Sequence, residues 1–255
     1  MSKASVCRSI ENISTALKNN ASQYIKWPTV QEQQSIKDGC YSISGFPNVV
    51  GAVNGTQIII RAPSNNENHY VCRKGHHSLN VQIICDHRLV IANVVAKWPG
   101  STHDAGIWAN CTVGEEGGFH GGWLLGDSGY PLSHYLLTPI YTPTSTAEGK
   151  YKASHARARQ VIEQCIGSLK MRFRVLHTSG SALQYLPEKC VKIIISACLH
   201  NIAQQSNMPI EDAEDDQPEA YELQNTAGHQ VHDALIEKDL LQFYAGPNTY
   251  YISLK

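Results

Sequence analysis

Apolar and polar side chains alternate over residues 78–86, which is typical of a β-strand whose two faces differ. Residues 89–96 form a nearly continuous β-branched run, which predicts a central strand of a sheet. The tripeptide Asp86-His87-Arg88 between them is typical of a hairpin turn. A short apolar stretch at residues 123–126 predicts a further strand that ends at Asp127. The pattern therefore indicates a sheet in the first half of the chain.

The other segments of this half are less regular. Residues 46–60 predict a turn, a short strand over 49–53, a break at Gly55 and then more strand. Pro99-Gly100 breaks the chain, and residues 103–110 follow as a short helix. The glycine-rich residues 114–122 predict a loop, and the stretch 130–148, rich in proline and threonine, predicts irregular structure.

Helical spacing dominates the rest of the chain. A helix over residues 5–17 is predicted to pack its apolar face on the main domain, and that face comprises Val6, Ile10, Ile13 and Leu17. A second helix over 155–173 has a buried stripe of Val161, Ile162, Cys165, Ile166 and Leu169. Pro187 sits at a helix N1 position and begins an apolar helix that runs to residue 205, and residues 231–243 predict a last amphipathic helix. Strands followed by helices favour an α/β domain with one mixed sheet.

The chain has 255 residues, of which 42% are hydrophobic and 17% charged, a balance typical of one large globular domain with or without a small appendage. Its formal net charge is -1, which on its own points neither to nor away from nucleic acid. The charges are unevenly placed: residues 150–174 are strongly basic and residues 211–219 are strongly acidic. The acidic run is interpreted as a solvated linker, with docking on a basic partner or mimicry of DNA as the alternative.

The cysteine pattern bears on the compartment. The eight cysteines are scattered, and none forms a CxxC pair. No apolar run approaches the ~20 residues that a membrane helix needs, and the first residues contain no apolar signal region. These features predict a soluble intracellular protein with reduced, largely buried thiols and without a membrane partner.

Two further groups of side chains leave alternatives open. The spacing of Cys72, His76, His77 and His103 matches no strong zinc pattern. Arg73-Lys74 and the two histidines after them either contact phosphate or form a plain surface hairpin.

Several stretches, in order and over nearly the whole chain, carry a resemblance to a known family. They are residues 45–56 (GFPNVVGAVNGT), 70–75 (YVCRKG), 97–104 (KWPGSTHD), 125–131 (LGDSGYP), 156–173 (ending in VIEQCIGSLKMRF) and 199–202 (LHNI). Each piece is weak alone, but the series resembles the Harbinger (PIF-like) branch of the DDE transposases and the nucleases derived from it. The resemblance implies a ribonuclease-H-like fold, a mixed sheet flanked by helices.

The resemblance also implies a divalent-metal site for Mg²⁺ or Mn²⁺ that is built from two aspartates and a glutamate. Carried onto this sequence, these positions are residue 54, Asp127 and Glu163. Residue 54 departs from the pattern, because the family's Asp-Gly-Thr-His is here Asn54-Gly55-Thr56-Gln57. An amide offers oxygen without charge, so the predicted metal and catalytic residues are Asn54, Asp127 and Glu163, with weakened catalysis.

Asp104 and Glu163 each have a second interpretation. Asp104 is either a further metal ligand, direct or through a neighbour, or the cap of the helix that begins there. Glu163 shares its helix face with Arg159, Gly167 and Lys170, which suits approach to a phosphate backbone. An ordinary solvated helix face is the alternative.

The domain prediction divides the chain into three parts. Residues 1–27 are the remnant helix of a helix-turn-helix-like region, residues 28–210 the nuclease domain, and residues 211–255 an acidic linker with an amphipathic helix. The expected function is that of a metal-dependent DNA endonuclease impaired at residue 54. An inactive DNA- or protein-binding relative is the alternative. The resemblance further implies DNA and a Myb/SANT-like adaptor protein as partners, and a location in nucleus and cytoplasm.

Overall fold

The computed structural model describes residues 2–113, 118–196 and 198–210. The helices are α1 (Lys3–Asn20), α2 (Val30–Ser44), α3 (Asp104–Trp108), α4 (Thr146–Arg172), α5 (Pro187–Ile195) and α6 (Cys198–Gln205). The strands are β1 (Val49–Ile59), β2 (Ser78–Cys85), β3 (Ile91–Pro99), β4 (Trp123–Leu125) and β5 (Leu136–Leu137). The predicted acidic linker and the predicted helix over 231–243 lie outside the described residues.

The strands form one mixed sheet in the order β3-β2-β1-β4-β5. β1, β2 and β3 are antiparallel neighbours, whereas β4 runs parallel to β1 and β5 parallel to β4. Helices flank this sheet, which confirms the predicted ribonuclease-H-like α/β fold.

The hairpin between β2 and β3 is confirmed, and its turn has a clear cause. The Asp86 carboxylate accepts hydrogen bonds from the backbone N–H groups of Arg88 (2.8 Å) and Val90 (3.1 Å). Leu89 takes a left-handed conformation with φ 62° between them. A side chain that bonds the backbone two and four residues on is the usual device of such turns, so Asp86 fixes where β3 begins.

Two predictions about the strands are wrong. β3 is an edge strand and not a central one. Helices α5 and α6 lie against it, but only Ile91 and Ala96 of β3 are fully buried and most of its other residues are half-buried, so a β-branched run does not require a strand on each side. β1 also continues through Gly55 without a break, and Gly55 pairs with Gln82 of β2.

The sheet separates two apolar cores, which define its two faces. The α4 face includes Ala52, Ile58 and Ile83 of the strands, packed with Ile162 and Cys165 of α4. The α3 face is smaller and consists of Val50, Val53, Ile84, Phe119, Leu124, Tyr130 and Leu136, with Trp27, Trp108 and Val113 against them. Alternation along each strand therefore decides which face a given side chain reaches.

Helix α4 confirms the predicted buried stripe of Val161, Ile162, Cys165, Ile166 and Leu169. It begins well before the predicted residue 155, because the Ser145 side chain accepts the Glu148 N–H and caps it. Helix α2 was not predicted. Thr29 and Glu32 form a complete capping box at its start, and Gly45 ends it with φ 69°.

The N-terminal helix is confirmed, but its predicted packing face is partly wrong. Val6 and Ile13 are 42% and 61% exposed. The side turned toward α5 instead contains Ser14, which is buried, and Glu11, which forms ion pairs with Lys189 (3.5 Å) and Lys192. Ile10 and Leu17 of the predicted face are half-buried and line one groove with Ile193 of α5 and Leu199 of α6, so the helix docks through apolar and polar contacts together.

The C-terminal helices and the thiols agree with the sequence in most respects. Pro187 stands at the first turn of α5, as predicted, but α5 ends at Ile195 and α6 begins at Cys198 in place of one continuous helix. All eight cysteines are free thiols, six of them buried. Within the described residues, no helix has both the length and the apolar character that a bilayer span requires.

Candidate active site

The parallel pairing of β1 and β4 relates two of the predicted metal ligands. Ala52 of β1 is in register with Leu125 of β4, and both strands run in the same direction. Asn54 and Asp127 each lie two residues beyond this pair. The register therefore relates Asn54, in the middle of β1, to Asp127, which follows the carboxyl end of the shorter β4.

Asn54 lies within β1 on the α4 face, because it alternates with Ala52 and Ile58, which pack there. Its side chain is half-buried, and its Oδ1 accepts a hydrogen bond from the N–H of Gly55 at 2.9 Å. The amide oxygen is thus held by the neighbouring peptide group.

Asp104 lies at the first turn of α3 and reaches the sheet from the α3 face. Its Oδ1 accepts a hydrogen bond from the Asn80 amide at 2.9 Å, and the same amide donates to the carbonyl of Thr102 at 2.9 Å. A Cβ on Gly55 would collide with this carboxylate. The capping interpretation of Asp104 is wrong, because His103 occupies the N-cap of α3 and no side chain bonds the first turn there.

Asp104 and Asp127 come together around Gly129. The Asp127 Oδ1 accepts a hydrogen bond from the Gly129 N–H at 2.8 Å. Asp127 Oδ1 and Asp104 Oδ2 stand 3.0 and 3.3 Å from the point where a Cβ on Gly129 would lie. The two carboxylates therefore border the same small space, which a side chain at residue 129 would enter.

The electrostatics of this space follow from burial and like charge. Burial raises the pKa of Asp104, the hydrogen bond from Asn80 opposes that rise, and the charge of Asp127 adds to it. Burial also raises the pKa of the Tyr130 hydroxyl, followed in effect by the charges of Asp104 and Asp127. Tyr130 is therefore a neighbour of both carboxylates, and its hydroxyl has no hydrogen-bond partner among the described residues.

Glu163 is the third predicted ligand. It lies on α4 and forms an ion pair with Arg159 one turn earlier, with side-chain exposures of 46% for the glutamate and 19% for the arginine. The charge of Arg159 lowers the pKa of the Tyr130 hydroxyl slightly, against the larger effects of burial and of the two carboxylates. In the structure as described, no three acidic, histidine or cysteine side chains form a group that could hold a metal ion. The convergence of Asn54, Asp127 and Glu163 on one metal cluster stays a prediction.

Among the described residues, the side chains of the hairpin of residues 71–77 form no group that could hold a metal ion. The Cys72 N–H donates to the carbonyl of His76, and Gly75 turns the chain with φ 77°. His77 pairs with Glu67 at 3.0 Å, and Arg73 contacts His103 Nδ1 at 3.0 Å. These contacts form a surface hairpin, and a phosphate contact of Arg73-Lys74 stays a prediction.

Comparison with known proteins identifies the family. The sequence profile described as "DDE superfamily endonuclease" matches residues 53–201. A rat protein named "Putative nuclease HARBI1" is 39% identical over 241 residues, which cover 88% of this chain and 69% of that protein. The chain belongs to the DDE superfamily endonucleases. This confirms the resemblance to the Harbinger branch, whose members are nuclease-like and transposase-derived.

Other relatives of this chain differ in how much they share with it. The human protein of the same name is 39% identical over 215 residues, which cover 82% of this chain and 62% of that protein. An Arabidopsis thaliana protein named "Protein ALP1-like" is 28% identical and covers 73% of this chain, with 50% of its own length matched. The chain thus spans about two thirds of the mammalian relatives and half of the plant one. No solved structure matches it significantly.

The candidate site contains residues that the sequence analysis missed. Asn80 orients Asp104, Tyr130 adds an unpartnered hydroxyl, and Gly129 leaves room for both carboxylates. Only Tyr130 and Gly129 gave any signal, since both lie in the stretch LGDSGYP that carries the resemblance. Asn80 alternates with apolar neighbours as any polar face of a strand would, so its role becomes visible only in three dimensions.

Proposed function

We propose that this chain is a transposase-derived, divalent-metal-dependent DNA endonuclease whose catalysis is impaired by Asn54. The observation that supports this most strongly is the parallel register of Ala52 with Leu125, since Asn54 and Asp127 each follow this pair by two residues. Helix α4, with Glu163, packs on the face of β1 to which Asn54 belongs. Membership of a superfamily that generally uses divalent metals supports the same proposal.

The donor set fits hard cations. Carboxylate and amide oxygens suit Mg²⁺ and Mn²⁺. Bound pairs of such ions, about 3.5–4 Å apart in known nucleases, activate a water and neutralise the scissile phosphate. In this chain the residues that would hold such ions are Asp127, Glu163 and the amide oxygen of Asn54. Glu163 must first leave its ion pair with Arg159, which would then be free to contact the phosphate backbone.

The substitution at residue 54 weakens this site through charge. Two divalent ions bring four positive charges, and three carboxylates offset most of them before the phosphate arrives. With an amide at residue 54, only Asp127 and Glu163 remain of the three. Like charges at such separations repel by several kcal/mol even at an effective dielectric of about 20. The second ion should therefore bind weakly, and hydrolysis should be slow.

A second candidate function is DNA or protein binding without catalysis. The neutral Asn54 favours it, as does the basic character of α4, which carries Lys150, Lys152, Arg157, Lys170 and Arg172. In either function we infer DNA as substrate or ligand, a Myb/SANT-like adaptor protein as partner, and residence in nucleus and cytoplasm. These partners follow from the family resemblance.

The test is metal-dependent nicking of supercoiled plasmid by the wild-type chain and by Asn54→Asp. We expect Asn54→Asp to nick at least about tenfold faster in Mn²⁺, because it restores a negatively charged carboxylate at residue 54. Asp127→Asn or Glu163→Gln in the Asn54→Asp background should abolish nicking. Asn12→Asp, on an exposed position of α1, controls for added charge alone and should leave the rate unchanged.

Two outcomes would contradict the proposal in different ways. If Asn54→Asp binds DNA but does not nick it in Mn²⁺ or Mg²⁺, the chain is a binding protein. If the wild type nicks as fast as Asn54→Asp, the amide is tolerated and catalysis is unimpaired.

A further inference from the structure

We propose that an apolar groove beside helix α1 binds the C-terminal residues 231–243 of the same chain. The groove lies between α1, the turn that follows α4, and helices α5 and α6. The sequence of residues 231–243 predicts an amphipathic helix, and these residues lie outside the described ones. The proposal concerns an interaction surface within the molecule and does not depend on the proposed nuclease function.

The groove presents apolar side chains on its surface. It has a volume of about 230 Å³, and its apolar lining includes Ile10, Ile13, Leu17, Val175, Ile193 and Leu199. Ile13 is 61% exposed and Val175 is 47% exposed. Large apolar side chains that lie together on a surface usually mark a binding site. Among the described residues, no segment covers this groove.

The last described residues leave the domain at the edge of this groove. The Arg172 guanidinium donates hydrogen bonds to the carbonyls of Met208 (3.1 Å) and Pro209 (3.5 Å). Arg172 is the last residue of α4, and the next residue, Phe173, lines the groove. The chain beyond residue 210 therefore begins beside the groove.

The length of the connecting segment favours docking within one chain. Residues 211–230 separate the last described residue from residues 231–243. A flexible linker of this length has a root-mean-square span of roughly 25 Å. Because the linker starts beside the groove, the effective concentration of residues 231–243 at the groove is on the order of millimolar. A second copy of the chain would need a similar concentration to compete, so we assign the groove to the same chain.

The apolar positions of residues 231–243 suit a helix that lies in a groove. Ile236, Leu240 and Phe243 recur at i, i+4 and i+7, so a helix would place them on one face. This is the spacing with which amphipathic helices fill apolar grooves. Leu235 would lie away from this face, because it is five residues before Leu240 and about 140° from it around a helix.

The charges around the groove complement those of the C-terminal residues. Residues 211–243 are strongly acidic, and Lys238 is their one lysine or arginine. Lys18, Arg172 and Arg174 each adjoin a residue that lines the groove. Opposite charges of this kind would draw the acidic residues toward the groove, and the apolar contacts would then hold them there.

The first test is photocrosslinking of the full chain with p-benzoylphenylalanine. This photoreactive residue replaces Ile13 in the groove or, as the matched control, Asn12, which is exposed on the side of α1 away from the groove. Light should link residue 13 to residues 231–243 of the same chain, as identified by mass spectrometry of peptides, and residue 12 should give no such link. Links between two chains, seen as dimers on a denaturing gel, would overturn the proposal in favour of a second copy. The absence of any link to residues 231–243 would overturn it outright.

The second test is hydrogen exchange of the full chain with natural residues. Leu240→Asp places a charge on the face that would enter the groove, so the exchange of residues 10–17 should rise at least about tenfold. Leu235→Asp introduces the same charge away from that face and should leave this exchange unchanged. Equal exchange in Leu240→Asp and the wild type would contradict the docking. Faster exchange throughout the domain would also contradict it, because Leu240 would then act on the whole fold and not at the groove.

Discussion

The carboxylate of Asp104 occupies the space that a side chain on Gly55 would need. A Cβ at residue 55 would collide with Asp104 and would stand 3.0 Å from the Oδ1 of Asn80. Gly55 therefore has a spatial role inside a long strand, where glycine is otherwise unfavourable. It allows a helix on one face of the sheet to place its acid against the backbone of β1.

This contact predicts the effect of adding one methyl group. Gly55→Ala should lower the free energy of unfolding by roughly 1–3 kcal/mol, because the sheet cannot yield without moving Asp104. The measurement is urea unfolding at neutral pH. Gly149→Ala is the control: nothing lies within 4 Å of its added Cβ in α4, so it should stabilise by about 0.5–1 kcal/mol. Equal effects of the two substitutions would contradict the collision.

The raised pKa of Asp104 predicts how stability depends on pH in metal-free buffer. Burial lifts this pKa above its ordinary value of 3.8, so the folded chain binds the proton more tightly than the unfolded chain. The resulting stability is present at low pH and is lost as pH rises from about 3.8 through the folded pKa. Asp104→Asn should remove this loss and unfold at a higher temperature near pH 7 than the wild type. A steeper decline of stability with pH in the variant would contradict the assignment.

Replacement of Asn201, which lies far from the candidate site, is expected to cause a large loss of stability. Its side chain accepts from the Ile91 N–H at 2.8 Å and donates to the Ile91 carbonyl at 2.7 Å and to the Tyr24 carbonyl at 2.8 Å. Asn201→Ala would leave these buried backbone groups unpaired and should cost on the order of 3 kcal/mol. Gln204→Ala, which removes one exposed bond to Arg88, should cost less than about 0.5 kcal/mol in the same unfolding experiment.

Replacement of Thr29 is expected to cause a smaller loss of stability that is local to helix α2. Its hydroxyl accepts the Glu32 N–H, and the Glu32 carboxylate accepts the Thr29 N–H at 2.8 Å. Thr29→Ala should therefore destabilise the chain by about 1 kcal/mol. Ser42→Ala, on an exposed turn of the same helix, should cause no loss. Hydrogen exchange near residues 118–122 should also rise in Thr29→Ala, because Gln33 and Lys37 of α2 donate to the carbonyls of Gly118 and His120.

The sequence predicts elements well where side-chain periodicity alone decides burial. The alternation along β2 and the stripe of α4 from Val161 to Leu169 are both confirmed. Apolar periodicity does not predict helix α2, because its buried face combines Ile36 and Cys40 with the polar Gln33 and Lys37. In the sequence, only the capping box of Thr29 and Glu32 indicates this helix. Polar groups that are buried against loop carbonyls leave no apolar pattern.

The position of β3 shows a second limit. A continuous apolar run predicts burial on both faces but does not reveal what provides the burial. Asn201 bonds both backbone groups of Ile91, so a side chain of α6 replaces a neighbouring strand at this point of the edge. The residues LHNI were recognisable by resemblance. Their structural role, however, depends on the contact of Asn201 with Ile91, which lies 110 residues earlier.

The candidate site was predicted in part for a similar reason. Asp127 and Asp104 could be named from the sequence, but their shared space around Gly129 arises from the meeting of α3 with the end of β4. Local sequence patterns indicate the secondary structure and burial of each residue within its own segment. They do not report which acids will face each other once the segments are packed.

The Gly55 N–H donates to the Oδ1 of Asn54 at 2.9 Å, and this pair of residues is chemically unstable in principle. In an Asn-Gly sequence the glycine nitrogen attacks the side-chain amide carbon and ammonia leaves, and water then hydrolyses the cyclic imide to aspartate or isoaspartate. The extended backbone of β1 and the pairing of Gly55 with Gln82 oppose ring closure, so conversion is slow in the folded chain and faster in the unfolded one. A stored or refolded sample therefore accumulates molecules that carry aspartate at residue 54 and are heavier by about one mass unit. Deamidation would thus slowly restore a carboxylate at residue 54 as the protein ages.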